Sequence, residues 1–159
     1  MASLIKKNQG FSLLEILVAI GVLVLVMVGS LSANNIAANS VSINKVRDRA
    51  NLLAKEGVEA LYSVRAANFT SLMAGDFHPV LVSEMWTLSP GSEAINGFTR
   101  TISLSPVQRM LVCADPVCPI VTSGGLTDNL TYKATVEVTW KEGDTDKIYQ
   151  INTLVTYWR

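Results

Sequence analysis

Apolar residues fill the chain from Phe11 to Val28, interrupted only by Ser12, Glu15 and Gly21, and the run fades out near Ala33. As a helix it is long enough to cross roughly 30 Å of hydrocarbon. From Asn34 to about Ala67 the pattern changes. Ile36, Ile43, Val46, Ala50, Leu53, Gly57, Leu61 and Val64 recur at three-four spacing, with Lys45, Arg47, Asp48, Lys55, Glu56 and Glu59 on other faces and no proline. That spacing predicts an amphipathic helix ending at Ala67, with Asn68 suited to the left-handed conformation that stops a helix. A helix apolar all round needs lipid or neighbouring subunits; one with a single stripe covers a domain core.

All five prolines, Pro79, Pro90, Pro106, Pro116 and Pro119, lie beyond Thr70, among short alternating runs. A strand is predicted over Val80 to Leu88, a turn at Ser89-Pro90-Gly91-Ser92, and an antiparallel partner over Phe98 to Leu104, where large apolar residues alternate with Thr, Arg and Ser. The clearest hairpin is the last. Ala134, Val136, Val138 and Trp140 share one face of a strand from Tyr132 to Trp140. Glu142 to Asp146 turns the chain, and Tyr149, Ile151, Val155 and Tyr157, with Thr153, share a face of the return strand. Only the amphipathic helix is long enough to cover such a sheet, which predicts an α+β head.

Glu15 alters the reading of the apolar segment. A carboxylate in hydrocarbon costs about 2.5–3.5 kcal/mol on insertion scales, so it needs a partner or a role. Lys6 and Lys7 flank the segment on its N-terminal side, which keeps that side cytoplasmic and sends the rest of the chain across the membrane. An ordinary secretory signal is the rival reading, with Ser30-Leu31-Ser32 as a loose cleavage site. The apolar core is too long for it, and an expendable signal has no reason to carry Glu15.

A short cationic leader ending in Gly10, then Phe11-Ser12-Leu13-Leu14-Glu15 and an unbroken apolar run, resembles the type III signal of type IV pilins and type II secretion pseudopilins. The resemblance implies cleavage between Gly10 and Phe11 by a prepilin peptidase, N-methylation of the new Phe11 amine by the same enzyme, and a role for Glu15 in filament assembly. Gly10 suits a protease that holds an extended backbone closely. The stretch from Lys55 to Leu61 with Arg65 to Phe69, and the ending Thr153 to Arg159, resemble minor pilins and small minor pseudopilins. The implied organisation is a cleaved leader (1–10), a transmembrane or filament-core half of the helix (11–33), an amphipathic half (34–67) and a β-sheet head (68–159).

The implied partners are other pilin subunits, the prepilin peptidase and methyltransferase, an inner-membrane assembly platform, and lipid before assembly. The implied locations are the cytoplasmic membrane, then an extracellular filament or the cell surface. Small residues at Ala19, Gly21 and Gly29-Ser30 allow close helix approach or local loosening, although the helix-breaking proline of many major pilins is missing. A membrane-anchored extracytoplasmic binding module that shares only the export signal is the alternative.

Charge and chemistry-bearing residues add little. The formal net charge is zero, and loss of the leader removes two lysines, so no nucleic-acid partner is indicated. Cys113 and Cys118 bracket four residues in a segment bound for the outside, where a disulfide is the expected state. Its loop is smaller than the one that many pilins carry. His78 is the single histidine, so neither a zinc site nor a Ser-His or Cys-His catalytic pair is expected, and no cofactor is.

Overall fold

The computed structural model describes residues 13–111 and 118–157. Gly10, Phe11 and Cys113 lie outside them. Helix α1 runs without a break over Leu13–Ala67, through Gly21 and Gly29, and a 3-10 turn follows over Phe69–Ser71. Seven strands complete the order: β1 (Gly75–Val82), β2 (Met85–Pro90), β3 (Glu93–Ile95), β4 (Phe98–Arg109), β5 (Ile120–Val121), β6 (Leu126–Glu142) and β7 (Thr145–Thr156). The chain divides into two compact units, Met1–Lys45 and Val46–Arg159.

In the first unit every described side chain is exposed, including Ile36 and Ile43. The buried stripe is therefore shorter than the three-four spacing suggests. In the second unit it comprises Ala50, Leu53, Ala54, Gly57, Ala60, Leu61 and Val64, which pack on an antiparallel sheet of order β2-β1-β4-β6-β7. The fold is α+β, as the pattern predicts. Strand β4 is central: β6 pairs along its whole length, and β3, β1 and β5 share its other edge in turn. The core holds Ile102 and Leu104 from β4, Ala134, Val136, Val138 and Trp140 from β6, and Val155 from β7. Gly57 is where helix and sheet come closest. A Cβ there would stand 2.9 Å from Val136 Cγ1, so any larger residue pushes the helix off the sheet.

Four details differ from the sequence reading. Val80 to Leu88 is not one strand but the tip of the β1–β2 hairpin, turned by Ser83 and Glu84 at φ 49° and 66°. Two successive positive φ values match the twist of the flanking strands, and neither residue signals such a turn by type. The antiparallel partner of β4 is accordingly not that segment: β1 meets it through Gly75 to Phe77, against Leu104 to Ile102, and β3 meets it through the tight turn at Asn96-Gly97. Strand β4 runs past Leu104 to Arg109, and its register against β6 shifts between Pro106 and Val107, where proline can give no ladder hydrogen bond. Asn68 is extended (φ −159°), not left-handed, and its side chain caps the next turn by accepting from the Thr70 N–H.

Candidate functional site

The apolar half of α1 carries the first candidate site. Glu15 sits in the first turn, where the unsatisfied N–H groups favour a negative side chain, and it is exposed. From Leu13 to Val28 the large apolar side chains are about half to four-fifths exposed. The helix is thus long and apolar enough to cross a membrane, with none of its most apolar window buried. Three of its serine hydroxyls bond within the helix. Ser30 Oγ donates to the Val26 carbonyl (2.9 Å), Ser32 Oγ to Val28 (3.1 Å) and Ser40 Oγ to Ile36 (2.9 Å), so these serines need no water. No Cβ added at Gly21 or Gly29 would meet an atom within 4 Å. An exposed apolar surface of this kind is suited to cover by lipid or by other helices.

In the head, one buried and one half-buried cation hold elements together, Arg100 and Arg109, and neither was legible as a site. Arg100 lies on β4 among Phe98, Ile102 and Leu104, on the apolar face and not with the polar alternation. Only 2% of it is exposed. Its Nε donates to Glu93 Oε1 (2.7 Å) on β3 and its Nη1 to the Leu53 carbonyl (2.8 Å) on α1, with Glu56 at 3.6 Å. A planar guanidinium can satisfy a strand and a helix at once in a way that an ammonium cannot. The parity of 98, 100, 102 and 104 was the available signal.

Arg109 does the same at the far end of β4. Its Nε donates to Asp128 Oδ2 (2.6 Å), its Nη1 to the Cys118 carbonyl (2.7 Å) and its Nη2 to Thr131 Oγ1 (3.2 Å). Burial raises the Asp128 pKa. The hydrogen bonds from Arg109, the Leu130 N–H and Thr131, with the charge of Arg109, outweigh it and hold the carboxyl below the usual carboxylate range. Gly125 closes this corner, since a Cβ there would stand 2.3 Å from the Arg109 carbonyl oxygen. Cys118 carries no free thiol. His78 Nδ1 lies 3.3 Å from the Gly91 carbonyl within the first hairpin, and among the described residues no three His, Cys, Asp or Glu side chains stand close enough to share a metal.

An apolar groove of about 380 Å³ lies where the end of α1 and the β1–β2 hairpin meet, and Leu72, Met73, Phe77, Met85, Trp86 and Leu88 line it. It offers apolar area without convergent titratable groups, which suits contact and not catalysis.

Residues 5–31 match the family described as the prokaryotic N-terminal methylation motif. No curated protein and no solved structure matches the chain. The N-terminal segment is thus a type IV pilin-like signal, of the kind that prepilins and pseudopilins carry, joined here to a helix-on-sheet head. Such a signal marks an exported protein, processed by a prepilin peptidase and anchored in the membrane before it assembles with other pilins.

Proposed function

We propose that the chain is a minor structural subunit of a type IV pilus or a related secretion pseudopilus. In this reading the leader is cut between Gly10 and Phe11 on the cytoplasmic side, Phe11 is N-methylated, and the subunit enters the filament from the membrane through its apolar helix. The observation that carries it is the methylation motif running directly into a helix whose apolar side chains are exposed all round.

The new Phe11 ammonium and the Glu15 carboxylate are both costly in hydrocarbon, and a filament pairs them between neighbouring subunits. Glu15 then sets the register of entry. Outside the membrane, Cys113 and Cys118 form a disulfide that stiffens a loop whose end Arg109 tethers through the Cys118 carbonyl. Likeness to minor subunits rests on the helix end and the C-terminal strand.

Mass spectrometry of the mature N-terminus is the test. Recovery of N-methyl-Phe11 supports the reading, and a mature protein beginning near Ala33 sinks it.

A further inference from the structure

Strand β7 is a terminal strand of the sheet, and among the described residues nothing pairs with its outer edge. Native edges are usually blunted by charge, proline, a bulge or brevity. The other terminal strand, β2, is six residues long and ends in Pro90. By contrast β7 is twelve residues long, pairs with β6 without a register shift, and carries no charge, proline or glycine from Ile148 to Thr156. Two side-chain bonds fix its inner face to the helix: Tyr149 Oη donates to Asn51 Oδ1 (3.1 Å), and Tyr62 Oη shares a hydrogen bond with Thr153 Oγ1 (2.6 Å). The edge is therefore long, rigid and open.

Its outward face reads Ile148, Gln150, Asn152, Leu154, which is apolar, amide, amide, apolar and nearly symmetric about Ile151. We propose that β7 is a docking edge for β7 of a second copy, paired antiparallel about Ile151, so that two heads share one continuous sheet. In that register Ile148 stands opposite Leu154 twice and Gln150 opposite Asn152 twice. Ile148 and Leu154 are 61% and 49% exposed, so pairing gives each a cross-strand neighbour that one head does not supply.

The amides are complementary as they stand. Gln150 uses Nε2 to donate to Glu137 Oε2 (3.1 Å), leaving Oε1 to accept. Asn152 uses Oδ1 to accept from Thr135 Oγ1 (2.7 Å), leaving Nδ2 to donate. The free acceptor of one copy thus faces the free donor of the other. Sterically the pairing is open, because the helix backbone comes closest to the sheet over β4 and β6, with Gly57 against Val136, Arg100 and Ile102, and reaches β7 through the Asn51 and Tyr62 side chains on its inner face, not at its outer edge. At roughly 4.8 Å per strand, residues 46–67 of the two copies would stand roughly 20 Å apart, about twice a helix diameter. So small an interface makes a weak contact, populated when copies are concentrated. It does not depend on the filament reading.

The test uses the full chain in detergent, as Gln150→Cys and Asn152→Cys proteins under mild oxidation. Directly opposite strand residues fall within disulfide reach, whereas residue 150 against residue 150 is a diagonal pair at about 7–8 Å and is not. We expect cross-linked dimer in the mixture, identified as 150–152 by peptide mass spectrometry, at about five-fold or more the yield of the 150–150 or 152–152 dimer that either protein forms alone, because only the directly opposite pair meets disulfide geometry. Adding Leu154→Lys to both should abolish it while leaving the far-ultraviolet circular dichroism unchanged, because Leu154 lies outside the core. Helix-driven association would bring copies together without choosing 150–152 over 150–150. Equal yields in single and mixed samples, no cross-link in the mixture, or a cross-link insensitive to Leu154→Lys would each overturn the proposal.

Discussion

At the scale of single residues, charges in apolar surroundings decide most. Glu15 is the first. Replacing it with Ala removes a desolvation cost in the bilayer and the proposed partner of the Phe11 ammonium in the filament, so the variant should be processed and inserted normally yet poorly incorporated. Immunoblots of sheared filaments against membrane fractions check this, and normal incorporation at unchanged expression would count against the role. Arg100 is the second. Truncation to Ala leaves Glu93 and the Leu53 carbonyl without their donor and should cost about 3–5 kcal/mol in a denaturant melt. Arg100→Met combined with Glu93→Leu should cost much less, because an ion pair is then exchanged for apolar contact. If both variants lose the same stability, the ion pair is not what the site depends on. Asp128 is the third. Its folded pKa is depressed, so its contribution is complete above the unfolded value near 3.8 and disappears as pH falls through the lower folded one. Thermal melts should show an acid limb below about pH 4 that Asp128→Asn flattens. An unchanged limb in that variant would assign acid sensitivity to other carboxylates.

At the scale of elements, α1 serves two environments with one unbroken run of hydrogen bonds. Residues 13–33 display apolar surface in every direction, while residues 46–67 concentrate it on small side chains, Ala50, Ala54, Gly57 and Ala60, that let the helix approach the sheet. Without that segment the Val136, Val138, Trp140 and Val155 face of the sheet has no cover. A chain beginning at Phe69 should therefore aggregate, whereas one beginning near Asn39 should fold, stay soluble and run as a monomer when dilute. Circular dichroism and sizing chromatography of the two truncations decide the matter. A well-folded monomer from Phe69 would refute the dependence of the sheet on the helix, and an insoluble product from Asn39 would undermine the boundary.

At the scale of the whole molecule, the sequence by itself determined the membrane-length segment, the prepilin-like signal and the α+β class. Each rests on local information: residue type along a single helix, a contiguous motif, and strand alternation that repeats every two residues. The last hairpin was legible for the same reason, since its partners are adjacent in the chain and Gly143 marks its turn. Tertiary structure alone decided the rest. Ile36 and Ile43 match the stripe by spacing yet find no sheet to pack on, because burial needs an opposing surface and not only a periodic face. The split of Val80 to Leu88 rested on two positive φ values that Ser and Glu adopt only because the flanking strands pair. Arg100 and Arg109 became structural centres through groups between 7 and 47 residues away, and such partners meet only once the β4 edges are occupied. Sequence carries what neighbours along the chain impose, and long-range pairing supplies what charges and turns require of one another.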